Sequence, residues 1–249
     1  MVARGSRGGP FGGGNALPWL VLLFLAYAFL VGGVASPIRN ASSDPVGFAA
    51  FLIAIVLGVT VHEFMHAYTA HRFGDDTGRL LGRMTLDPRA HFDLWGSLLI
   101  VFLGFGYGKP VPVNESRLSP GRLGMALVSL AGPLTNFVLA AVAAIPLRFG
   151  AGAALGTDYE RILLTIVEIN CLLGVFNLLP VPPLDGSNVV YGLLPPREAW
   201  TWRSYQQYGL VILLAILFFL PYLGVDVITP LVVRPGQAIA SFFIGGGFP

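Results

Sequence analysis

The chain has 249 residues, 55% of them hydrophobic and 11% charged, with a formal net charge of +2 and a mean hydropathy of +0.72. A soluble domain carries about 25% charged residues, so the composition excludes a water-soluble globule and indicates several bilayer crossings. The near-neutral charge argues against a nucleic-acid partner, and the single cysteine, Cys171, excludes an internal disulfide.

Residues 1–16 are rich in glycine, carry Arg4 and Arg7, and hold too little apolar surface to fold. They read as a flexible basic tail. The remainder, 17–249, reads as one transmembrane domain with its core at about 46–194. Spans are expected to begin near Leu17, Val46, Leu123, Ile162, Tyr208 and Val225. The fold class is therefore an all-α polytopic membrane protein with about six transmembrane helices. The first run is not trailed by a small-residue cleavage site and is read as a retained helix rather than a signal peptide. The apolar stretch 94–105 has 12 residues, about 18 Å of helix against about 30 Å of hydrocarbon. It suits a re-entrant or interfacial segment between the second and third spans. The stretch 108–114, with Pro110 and Pro112, forbids a central strand but permits a β-edge that could take an extended peptide. Pro230, Arg234 and Pro235 make the last span the weakest.

Charge asymmetry orients the spans. Arg72, Arg79, Arg83, Arg89, Lys109, Arg117 and Arg122 lie between the second and third, whereas the loops at 35–45 and 149–161 hold one arginine each. By the positive-inside rule the C-terminal end of the second span faces the cytoplasm.

That end carries His62-Glu63-Phe64-Met65-His66. Helical residues four apart lie about 40° apart around the axis, so both imidazoles share a face, as half of a tetrahedral zinc site would require. Glu63 is placed to handle a proton. His62 lies about 24 Å along its helix, and Asn177 about 22 Å along a later span running the same way. A catalytic zinc usually takes a third protein ligand. His71, nine residues after His62, points to the opposite side of a continuous helix. His91 and Asp93 would need the arginine-rich loop to fold back. Asp185 is better placed, because it follows Pro180, Pro182 and Pro183 directly after an apolar span. Unwound backbone at membrane depth is tolerated where it lines a cavity, and a cation offsets the burial of a carboxylate there. Asn136, beside Gly132 and Pro133, reads chiefly as a packing residue that could orient a ligand. Glu168 and Asn170 read as inter-helix partners or pore-lining groups.

The motifs HEFMH (62–66), AGPLTN (131–136) and NLLPVPPLDG (177–186) together resemble the site-2 protease family of intramembrane zinc metalloproteases. The stretches GRMTLDPRAHFD (82–93) and GKPVPVN (108–114) resemble its minimal branch, which lacks PDZ and CBS domains. Asp87, where similar sequences often have Asn, and Glu168 inside a span are mild departures. The resemblance implies one zinc per chain held by His62, His66 and Asp185, with Glu63 as general base and Asn177 assisting at the developing oxyanion. It implies cleavage of the transmembrane segments of membrane-protein substrates; the expected location is the plasma membrane, with the active site toward the cytoplasmic side by the arginine distribution. The competing readings are a prenyl-protein type of membrane zinc peptidase, and an inactive scaffold or metal carrier. The former normally takes a glutamate as third ligand; the latter need no Glu63.

Overall fold

The computed structural model describes residue 38 and residues 41–103, 106, 108–150 and 156–246. The N-terminal tail and the span expected near Leu17 lie outside them. Among the described residues the secondary structure is entirely helical. The described residues of Phe92–Lys109 belong to one compact unit, and those of Val46–His91 and Pro110–Pro249 to another.

Helix α1, Pro45–Arg72, starts on a proline, whose missing N–H is no loss at a first helical position. It ends at Gly74, where φ is 100°. There the Gly74 N–H donates to the His71 carbonyl and the Asp75 N–H to the Ala70 carbonyl, a Schellman arrangement that needs a left-handed residue. Asp75, fully buried, accepts from the Thr77 hydroxyl and N–H at 2.5 and 3.1 Å and from the Asn114 N–H at 2.6 Å. Burial pushes this carboxyl up, but the Thr77 and Asn114 donors outweigh it and hold the group below its ordinary range.

Helix α2, Leu94–Leu103, has 10 residues, about 15 Å of rise and too short to cross. The Asp93 side chain accepts the Gly96 N–H at its start. Gly106 sits against the Gly96 carbonyl with no room for a side chain, so the chain doubles back along α2.

In the other unit, α3 (Arg122–Arg148) packs against α4 (Thr157–Asn177), α5 (Asp185–Leu193) and α7 (Arg234–Ile244). Between α5 and α7 runs α6, Pro196–Tyr222. The α3–α4–α7 core is built on Ala140, Ala144, Val167, Cys171 and Ala240, small residues that let helix backbones approach closely. Segment 110–114 has no strand partner among the described residues; its main chain instead bonds to the α1 end of the fold.

Three helices, α1, α3 and α6, are long and apolar enough to cross a membrane. The span expected near Tyr208 is part of α6, which begins earlier, at Pro196. Helix α4 falls outside this set because Asp158, Glu160, Arg161 and Glu168 leave no sufficiently uncharged 18-residue stretch.

Candidate metal centre

Helix α1 delivers both imidazoles to one side. His62 and His66 are buried, with their rings edge-to-face and centroids 4.6 Å apart. What allows α3 to lie against them is Gly132: a Cβ there would stand 2.6 Å from the His66 Cε1 and Nε2 and 2.7 Å from the His62 Cε1. Asp185 arrives from the first turn of α5, after the chain has left α4 and run through its three prolines. A helix N-terminus favours a carboxylate there.

The resulting cluster is tight. Asp185 Oδ2 lies 3.0 Å from His62 Nε2 and 3.2 Å from His66 Nε2, and the two Nε2 atoms are 3.0 Å apart. The outward nitrogens are both committed. His62 Nδ1 faces Asn136 Oδ1 at 2.7 Å, and His66 Nδ1 faces the Val128 carbonyl at 2.8 Å. A carbonyl oxygen only accepts, so each Nδ1 carries the proton and each Nε2 of a neutral ring turns a lone pair inward. Two nitrogen lone pairs and a carboxylate oxygen converging on one point repel each other unless a cation lies among them.

Zinc fits this donor set. Nitrogen and carboxylate ligands at about 2.0–2.2 Å in a tetrahedron stand about 3.3 Å from one another, within a few tenths of the separations above. His62, His66 and Asp185 form the one group of His, Cys, Asp or Glu among the described residues that could hold a metal ion. Two nitrogens and one oxygen leave a fourth coordination position.

The remaining sequence candidates lie as follows. Glu63, half-buried, accepts the Val111 N–H at 3.2 Å. Asn177, at the C-terminal end of α4, donates to the Leu173 carbonyl at 3.0 Å, which leaves its second N–H uncommitted. His71 pairs with Asp76 at 2.6 Å, as its position on the far side of α1 requires. His91 bonds the Thr85 carbonyl at 2.7 Å, and Asp93 caps α2. Glu168 is not in the metal-capable group. Two contributors carry no sequence signal, since the Val128 carbonyl is main chain and Gly132 contributes only space; Asn136, read from the sequence as a packing residue that could orient a ligand, faces His62.

The family model described as Peptidase family M50 matches residues 50–155 and 146–220. The "Putative zinc metalloprotease YwhC" of Bacillus subtilis (strain 168) is 37% identical over 198 residues, covering 77% of this chain and 90% of that protein. The "Putative zinc metalloprotease Rip2" of Mycobacterium tuberculosis (strain ATCC 25618 / H37Rv) is 33% identical over 223 residues, covering 83% of this chain and 82% of that one. The "Putative zinc metalloprotease MJ0611" of Methanocaldococcus jannaschii is 33% identical over 148 residues, 57% of this chain and 70% of its own length. No solved structure matches the chain.

Proposed function

This chain belongs to peptidase family M50, the site-2 protease family, as a membrane zinc metalloprotease, and from that premise we propose that it cuts the transmembrane segments of other membrane proteins in regulated intramembrane proteolysis. The observation that carries the reading is the convergence of His62, His66 and Asp185, whose ligand atoms lie within 4.8 Å of one another.

In this reading His62, His66 and Asp185 hold the metal. When bound, zinc polarises a carbonyl and lowers the pKa of water to about 7. Glu63, next to His62 on α1, takes the proton of the attacking water and returns it to the departing amine. The Val111 N–H keeps the Glu63 carboxylate oriented between turnovers. Asn177 turns its free N–H toward the developing oxyanion. A helical substrate has its amides locked in internal hydrogen bonds and must unwind before attack. Segment 108–114, kept extended by its prolines, receives the unwound strand by main-chain pairing, and α2, too short to cross, is a re-entrant element.

About six helices cross the plasma membrane, and the arginine-rich loop after α1 places the active site toward the cytoplasm. The prenyl-protein reading finds no support, because the carboxylate beside the imidazoles is Asp185. An inactive scaffold or carrier would leave Glu63 without a purpose.

The test is zinc content together with cleavage of a model transmembrane peptide by the purified chain. His66→Ala and Asp185→Ala are expected to lose both. Glu63→Gln is expected to keep zinc and lose cleavage by at least about a hundredfold, the lower end of a general-base contribution. Zinc and activity retained in Asp185→Ala would overturn the ligand set, and full activity in Glu63→Gln would remove the proposed base.

A further inference from the structure

Behind Asn136 the hydrogen bonds continue inward to a residue that the mechanism does not use. Asn170, on α4, is fully buried, so its amide must find its hydrogen-bond partners within the protein. Its Nδ2 donates to the Ile166 carbonyl at 2.9 Å and toward the Ala54 carbonyl at 3.5 Å. Its Oδ1 accepts from Asn136 Nδ2 at 2.9 Å. The same Asn136 nitrogen donates to the Gly58 carbonyl at 3.1 Å, and the Asn136 oxygen faces His62. The path therefore leaves α1 at its carbonyls, crosses α4 and α3, and returns to α1 at a metal-facing imidazole.

The partners fix which end of each amide is nitrogen. Ile166 and Ala54 offer only carbonyl oxygens, so the Asn170 nitrogen faces them and its oxygen faces Asn136. Independently, the Gly58 carbonyl demands the Asn136 nitrogen. Both requirements turn the Asn136 oxygen to His62 and so require a proton on its Nδ1. A half-turn of the Asn136 amide would set its oxygen against two acceptors, Gly58 O and Asn170 Oδ1. It would also present a nitrogen to His62, selecting the tautomer whose Nε2 bears hydrogen and cannot ligate. Gly58 makes room for the device: a Cβ there would stand 2.5 Å from Asn170 Oδ1 and 3.0 Å from the Leu173 Cδ1.

We infer that Asn170 is a positioning residue for the metal centre, acting through Asn136 to hold His62 in its ligating tautomer. The inference rests on His62 being a zinc ligand, as proposed above. It assigns Gly58 a role as well, that of keeping the space into which the Asn170 amide projects.

The test uses the full chain. Only four histidines are present, so the 15N imidazole spectrum of metal-free protein is sparse enough to report the His62 tautomer, and chelator competition gives the zinc Kd. Asn170→Leu, which keeps volume and removes all hydrogen bonding, is expected to weaken zinc binding about tenfold and to replace the single Nδ1–H form by a mixture. Asn170→Asp, which when buried as the neutral acid offers Asn136 an oxygen and the Ile166 carbonyl an O–H donor, is expected to stay near wild type in both readouts. Gly58→Ala, which displaces the amide without altering it, is expected to behave like Asn170→Leu. A folded Asn170→Leu protein with wild-type tautomer and Kd overturns the inference, as does an Asn170→Asp protein that fails to rescue. Should Asn170→Leu not fold, Gly58→Ala decides, and wild-type values there are equally fatal. His62→Ala separates the two levels. Unchanged zinc binding in that variant defeats the ligand assignment itself, whereas lost zinc beside a silent Asn170→Leu defeats only the positioning role.

Discussion

A single hydrogen atom on the α-carbon of residue 132 separates α3 from the two imidazoles. Gly132→Ala puts a methyl group 2.6 Å from the His66 ring, closer than carbon and nitrogen can approach, and both rings are held from behind by Asn136 and Val128. The rings must shift, so zinc affinity is expected to fall by about ten- to a hundredfold, measured by chelator competition, while helix content by circular dichroism stays unchanged. Helix content lost in parallel with zinc would assign Gly132 to packing alone. At this scale the sequence is a good guide to the side chains proposed for the site. His62, Glu63 and His66 announce themselves by spacing, and Asp185 by a carboxylate set behind three prolines. The atoms that orient them do not. Val128 contributes a carbonyl that every residue possesses, and the partner of Asn136 lies 74 positions away in the chain, a distance over which no local pattern speaks.

Among the elements, 110–114 has the most to test. Its Val111 N–H reaches Glu63 and its Asn114 N–H reaches Asp75, so the segment is pinned at two points to the C-terminal half of α1 and the turn after it. Val111→Pro removes the donor to Glu63. A hydrogen bond to a charged group is worth about 1.5–3 kcal/mol, so kcat is expected to fall by about ten- to a hundredfold with zinc content intact. An unchanged kcat would show that this contact does not orient the carboxylate. Asp75 gives a pH dependence with a definite sign. Its carboxyl titrates below the ordinary range in the folded protein, so its stabilisation is fully present above the usual carboxylate pKa and is lost as pH falls through the depressed value. Thermal unfolding in detergent is expected to weaken on acidification below about pH 4, and Asp75→Asn is expected to flatten that decline. An identical acid profile in the variant would remove Asp75 as its source. The sequence shows 108–114 to be extended, because alternating prolines permit little else. It does not show where the segment is fastened, since the fasteners are main-chain donors and an aspartate that reads as one more partner for a loop arginine.

For the molecule as a whole, the solvent is the bilayer. Val211 is 68% exposed on α6 and Val138 61% exposed on α3, and such apolar surface is stable where it meets lipid. A charge there is costly: Val211→Lys is expected to impair insertion by about 2–3 kcal/mol, read as a lower membrane-inserted fraction, and insertion at the wild-type level would place this face against protein or water. Orientation can be read with one added thiol. Cys171 is fully buried, so Leu80→Cys, at a position 72% exposed in the arginine-rich loop, should be the sole site open to an impermeant maleimide. Labelling is expected from the cytoplasmic face only, and labelling from outside would invert the topology. Hydropathy picked out α1 and α3 as apolar enough to cross, but it could not fix the start of α6. The helix there runs on through the polar stretch from Pro196 before its apolar part begins.

The two metal-facing imidazoles are steadied in unequal ways. His66 leans on the carbonyl of Val128, an atom that survives every substitution at that position. His62 leans on the side chain of Asn136, which one base change in a codon can abolish. Substitution at 128 therefore leaves the support of His66 in place, whereas substitution at 136 removes that of His62.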